Sequence, residues 1–184
     1  MSRLNRQKVD LTKYIEEHTF AFDSSFDASV SNEELYYDTV KPLVSHAFNK
    51  SKVTCFAYGQ TGSGKTHTMI GNESENGVVP GLYILAATDI FGFLEMPEYS
   101  KFTVLVSFYE IYCGKLYDLL NNRNKLQARE DANANVNIIG LQQYQVTSVE
   151  KLIEVINYGS TMRVTGVTGA NFDSSRSHAI LAIN

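Results

Sequence analysis

The stretch Gly59-Gln60-Thr61-Gly62-Ser63-Gly64-Lys65-Thr66 sits directly behind the apolar run Val53-Thr54-Cys55-Phe56-Ala57-Tyr58. No other feature restricts the possible folds as much. Glycine reaches backbone conformations closed to other residues and has no side chain to block an approaching group. Glycines so closely spaced let successive backbone N–H groups turn inward around an anion. G-x-x-x-x-G-K-[ST] between a strand and a helix is a phosphate-cradling loop. The expected local structure is a strand over 53–58, buried on both faces and therefore parallel to its neighbours. The loop then spans Gly59, Gln60, Thr61, Gly62, Ser63, Gly64, Lys65 and Thr66, and a helix opens at its end, adding a positive dipole end. Lys65 supplies a point charge toward β- and γ-phosphates. The Thr66 hydroxyl suits Mg²⁺, which prefers oxygen ligands.

The remainder alternates strand and helix patterns, which argues for a three-layer α/β domain around a mixed sheet. His18–Phe26 reads as a strand. Ser31 and Glu34 make a capping-box pattern for a helix running to about Phe48, interrupted at Pro42. Residues 81–95 read as a helix, and 101–120 as a long β stretch turning at Cys113–Lys115. Residues 121–140 are polar and turn-rich, a small hairpin lobe. A helix capped by Ser148 is expected to end at Gly159, and 177–184 reads as a last strand. At 184 residues the chain is one domain or part of one. A net charge of −4 argues against a nucleic-acid partner, and no apolar run approaches the roughly 18 residues of a membrane span. The two cysteines, Cys55 and Cys113, lie far apart in apolar contexts and read as reduced core thiols.

A second polar constellation, Asn171-Phe172-Asp173-Ser174-Ser175-Arg176-Ser177-His178, stands just ahead of the last strand. Beside a phosphate loop it reads as a γ-phosphate sensor. Hydroxyls there can reach Mg²⁺ and phosphate oxygens, the Asn171 amide can donate to the γ-phosphate, and Arg176 can take a carboxylate partner. Together, "FAYGQTGSGKTHTM" and "NFDSSRSHA" resemble the kinesin motor domain, and "SFYEIYCGKLYDLL" is similar to the central strand region of that family. Within the family, Lys8–Asp27 and the Lys125–Asp131 lobe resemble the kinesin-13 class, internal motors that depolymerise microtubules.

The resemblance implies a P-loop NTPase fold over 1–184, incomplete at both ends, with ATP and Mg²⁺ as cofactors. It implies a microtubule-stimulated ATPase partnered by tubulin and located in the cytoplasm on the cytoskeleton, the spindle included. It places Asn171, Ser174 and Ser175 around the γ-phosphate and the attacking water, with Ser175 joining Thr66 on the Mg²⁺ side. It makes Arg176 the partner of a switch II glutamate and sets His67 on the adenine side. It assigns tubulin contact to a finger carrying Lys8, Val9 and Asp10 and to Arg123, Lys125 and Arg129 of the lobe. Two family features are absent from these residues: an R-x-R-P-type segment ahead of Lys8 and a D-x-x-G-x-E switch II. The expectation is the N-terminal portion of a motor domain. The alternatives are a walking kinesin, a non-catalytic tubulin-binding module, and a small-molecule P-loop kinase.

Overall fold

The computed structural model describes residues 3–6, 13–74, 77–165 and 177–184. The chain divides into two units, Met1–Val30 and Ser31–Asn184. In the first, strands β1 (Arg3–Arg6) and β2 (Lys13–Glu16) pair antiparallel, from Arg3↔Glu16 to Arg6↔Lys13. The strand expected over His18–Phe26 does not form. Asp23, Ser24 and Ser25 break its apolar alternation, and Asp27 instead closes a local turn by accepting from the Ser29 amide (2.7 Å) and hydroxyl (2.6 Å).

The second unit opens with the capping box. The Ser31 hydroxyl accepts from the Glu34 amide and the Glu34 carboxylate accepts from the Ser31 amide, starting α1 (Asn32–Thr39). Pro42 falls in the first turn of α2 (Lys41–Phe48), where a missing N–H does no harm, so the expected interruption becomes a boundary between two helices. After the glycine loop come α3 (Lys65–Met69), a hairpin of β3 (Gly71–Ser74) and β4 (Gly77–Pro80), and α4 (Leu82–Leu94). The hairpin returns the chain so closely that the Gly81 amide donates to the Ile70 carbonyl (3.2 Å), and a Cβ on Gly81 would run into that backbone.

The main sheet is built on β5 (Val104–Tyr112). It turns at Cys113-Gly114 into β6 (Lys115–Asp118) and continues through β7 (Asn124–Glu130) and β8 (Val136–Ile139). The short β9 (Tyr144–Val146) pairs with the start of β5. Strand β10 (Ser177–Ile183) covers the other edge of β5 from Ser177↔Tyr112 to Ile183↔Val106. All pairings among the described strands are antiparallel. The parallel strand expected over 53–58 is not formed, because no described strand lies beside it to supply a ladder. Both cysteines are exposed and free, not core thiols: Cys55 lies in that unpaired run and Cys113 in the β5–β6 turn.

Period-two alternation sends Val104, Val106, Phe108 and Glu110 to one face of β5, and all four are buried. Against the apolar part of that face pack α4 and α5 (Val149–Thr165), through Ala87, Leu152 and Ile156. The Ser148 hydroxyl caps α5 by accepting from the Lys151 amide (3.3 Å). The helix does not stop at Gly159 but runs through it. A Cβ at that position would collide with the Phe108 ring, so this glycine permits a close helix–sheet approach and ends nothing. No helix among the described residues is long and apolar enough to cross a membrane.

Candidate functional site

The glycine loop has the backbone its sequence requires. Gly62 (φ 81°) and Gly64 (φ 88°) are left-handed, and both Cβ positions face open space. An L side chain is strained in that conformation. Gly59 is different: a Cβ there would meet the Ser63 hydroxyl, so the loop closes on itself at that point, helped by the Ser63 amide donating to the Gln60 carbonyl (3.2 Å). Gly64 caps α3 with no side-chain bond, and its carbonyl accepts from Thr68 (2.9 Å). A five-residue helix develops little dipole, so the anion affinity expected from a helix end rests here mainly on the loop backbone and the Lys65 charge.

The half-buried Lys65 ammonium donates to the Gly59 carbonyl (2.8 Å) and the Gln60 carbonyl (2.7 Å). It is thereby folded over the loop it must serve. A nucleotide phosphate offers a full negative charge in place of two carbonyl dipoles, so the ammonium exchanges ion–dipole bonds for an ion pair. Thr66 and His67 are exposed beside it. These residues fit a phosphate ligand: an open glycine cradle, a cation over it and a hydroxyl next in line. The donors expected for Mg²⁺ are hydroxyls. Among the described residues no group of three or more His, Cys, Asp or Glu stands ready to hold a metal.

Sequence reasoning missed a residue that anchors α3, the helix following this loop. Asn32 is buried, and its side-chain amide donates to the His67 carbonyl (2.9 Å) and the Pro80 carbonyl (3.1 Å). It thus staples α1 to α3 and to the end of β4. Nearby, the buried Tyr36 hydroxyl donates to Asp89 (2.7 Å), which also faces Lys41 (3.6 Å). Burial, then the Asp89 carboxylate, drives the Tyr36 phenol well above its ordinary range.

A second buried polar centre is built on Glu110 of β5. Glu110 is fully buried, and its carboxylate has partners on α5, on β10 and in the turn ahead of β7. One oxygen accepts from Arg123 Nε at 2.7 Å, with a second guanidinium nitrogen also 2.7 Å away. The other oxygen accepts from the Ser177 hydroxyl (3.0 Å) and lies 3.8 Å from Arg163 Nε. Arg163 in turn donates to the Ser177 hydroxyl (3.1 Å) and carbonyl (3.2 Å). Removing one partner from such a buried pair costs about 3–5 kcal/mol, because the other charge is left uncompensated. Its signal in the sequence was a lone charge inside the apolar run Ser107-Phe108-Tyr109-Glu110-Ile111-Tyr112.

The other candidates separate into three groups. Lys8, Val9, Asp10, Asn171, Ser174, Ser175 and Arg176 lie outside the described residues. Lys125 and Arg129 are exposed on one face of β7, opposite the buried Leu126, with Arg129 donating to Gln127 (3.1 Å). Arg123, assigned to tubulin contact by the resemblance, is turned inward and largely covered. Its guanidinium is turned onto Glu110 and lies over the Tyr117 ring (4.5 Å) and near the Tyr112 ring (5.6 Å).

The kinesin motor domain family model matches residues 1–184. The chain belongs to the kinesin motor domain family. It is 56% identical over 179 residues to the kinesin-like protein KIF24 of Homo sapiens and 54% identical over the same length to that of Mus musculus. Each match covers 97% of this chain and 13% of the relative, so the chain spans about one eighth of the length of these curated proteins. The fold is therefore that of a P-loop NTPase, and motor domains of this family are in general ATPases that bind nucleotide with Mg²⁺.

Proposed function

We propose that this chain carries the nucleotide-binding part of a microtubule-stimulated ATPase of the depolymerising, kinesin-13 type, acting on tubulin at the cytoskeleton. The observation behind this reading is the glycine loop: two left-handed glycines open to an anion, with the Lys65 ammonium folded across the Gly59 and Gln60 carbonyls. Lys65 would exchange those carbonyls for phosphate oxygens, and the Thr66 and Ser175 hydroxyls would hold Mg²⁺. When bound, the ion neutralises charge on the β- and γ-phosphates. Asn171 and Ser174 orient the γ-phosphate and the attacking water, Arg176 latches their loop, and His67 lies against the base.

Tubulin is met by the exposed basic face of β7, Lys125 and Arg129, which suits an acidic partner. The depolymerase form is favoured over a walking motor by the β1–β2 pair. Its last rung, Arg6↔Lys13, holds both ends of the connection that carries Lys8, Val9 and Asp10. Such an anchored connection suits a finger directed at a partner.

One experiment tests both parts in a polypeptide carrying the complete motor domain. Lys65→Ala is expected to weaken ATP binding about a hundredfold, the loss of a strong charge-assisted contact. Replacing Lys8, Val9 and Asp10 together by Ala is expected to leave ATP binding intact and abolish loss of polymer from stabilised microtubules. Unchanged ATP affinity in the first variant refutes the nucleotide site. Undiminished depolymerisation in the second refutes the depolymerase form and favours a walking motor.

A further inference from the structure

Glu110 lies at one end of the buried face of β5, away from the glycine loop in sequence and absent from the phosphate chemistry above. Its partners are distributed in a telling way. Arg163 lies in the last turn of α5 and Ser177 opens β10, so they flank residues 166–176 on either side. Arg163 and Ser177 bond to each other, and both meet the same Glu110 oxygen. The opposite oxygen holds Arg123, one residue ahead of β7, the strand that presents Lys125 and Arg129.

Arg123 is held there against a local preference. It and Asn122 both have left-handed backbones (φ 56° and 50°), a conformation uncommon for residues other than glycine. Such outliers persist where surrounding contacts over-determine them. The contacts here are the Glu110 carboxylate and the rings of Tyr117 and Tyr112. One carboxylate therefore ties the root of the lobe to both flanks of the segment that carries Asn171, Ser174, Ser175 and Arg176.

We propose that Glu110 is a positioning residue that couples the β7–β8 lobe to the phosphate-sensing segment, with Arg123 as the lobe-side arm and Arg163 and Ser177 as the segment-side arm. A partner pressing on the lobe shifts Arg123, and the shared carboxylate passes that shift to Arg163 and Ser177. This rests on the ATPase reading above. It gives Arg123 a role in relaying tubulin contact instead of making it.

The test uses Glu110→Gln, Arg123→Met and the double variant in a complete motor domain, read by hydrogen exchange and by kinetics. In both single variants, amide exchange at Arg163 and at Ser177–Ala179 is expected to rise together, about tenfold, while α4 keeps the exchange of the parent. Microtubule-stimulated kcat is expected to fall about tenfold while ATP affinity stays within about threefold. The double variant removes the buried charges as a pair and is expected to recover thermal stability without recovering protection at Arg163 and Ser177 or the lost turnover. If Arg123→Met changes exchange only within β7 and β8, no coupling crosses Glu110 and the proposal fails. It also fails if the double variant restores protection and turnover along with stability, since the pair would then be structural alone. Failure of the unsubstituted protein to bind ATP would count against the ATPase reading, while the exchange measurement would still judge the coupling.

Discussion

Val53-Thr54-Cys55-Phe56-Ala57-Tyr58 and Val104-Leu105-Val106-Ser107-Phe108-Tyr109 are close to interchangeable in composition, and they come to rest in opposite environments. In the first, Phe56 is 78% and Tyr58 95% exposed and the backbone joins no ladder. In the second, Val106 is fully buried and Phe108 is 1% exposed, between β10 on one edge and β6 and β9 on the other. The difference is not propensity, since both runs are rich in β-branched and aromatic residues. A strand needs neighbours for its N–H and C=O groups and a layer for its side chains. β5 finds both within the described chain; 53–58 finds neither there.

The strongest test of that contrast is a pair of truncations to alanine. Phe108→Ala is expected to destabilise the fold by about 3–5 kcal/mol, the transfer and cavity cost of a buried aromatic. Phe56→Ala in residues 1–184 is expected to change stability by no more than about 0.5 kcal/mol, as for a surface site. Urea denaturation of both variants gives the comparison. A loss of several kcal/mol for Phe56→Ala would mean that 53–58 is covered in solution.

Glycine sharpens the same contrast at smaller amplitude. Gly159→Ala drives a methyl into the Phe108 ring, with Cε1 only 2.8 Å from the new atom, and is expected to destabilise by about 1–3 kcal/mol. Gly92→Ala meets nothing within 4 Å on α4 and is expected to stabilise by about 0.5–1 kcal/mol through helix propensity. Thermal melting of the two variants should move in opposite directions. Equal shifts would show that the α5–β5 contact is looser than described.

The smallest effect belongs to the lobe tip, which is exposed like 53–58 yet ordered by polar contacts. Asp131 accepts from the Asn135 and Asn133 amides, each at 2.9 Å, and from the side chains of Asn135 and Asn137. The Asn135 amide first, then the Asn133 amide, holds its carboxyl below the ordinary aspartate value. With the folded value depressed, the tip's added stability is fully present above the unfolded value of about 3.9 and fades as pH falls through the folded one. An NMR titration of the Asp131 carboxyl should show a midpoint below that of the unfolded peptide. An unshifted midpoint would mean the turn does not hold in solution.

Much was written locally in the chain. The capping box at Ser31 and Glu34, the turn at Cys113-Gly114, the glycine loop and the helix at Lys65 all follow from short-range chemistry: a side chain bonding a nearby amide, or a glycine reaching a left-handed backbone. The family, too, was legible, because two short motifs about a hundred residues apart occur together in one chain. Other features depended on what lay across the fold. Gly159 reads as a helix end until the Phe108 ring is seen against it, and Arg123 reads as a surface charge until Glu110 is found beneath it. Nothing within a few residues of Asn32 reveals that it will hold both His67 and Pro80. Capping, turns and glycine loops are settled over a few residues of backbone. Close approach, buried charge pairing and strand partnership are interactions between segments distant in sequence, and they take their meaning from the partner that packing brings within reach.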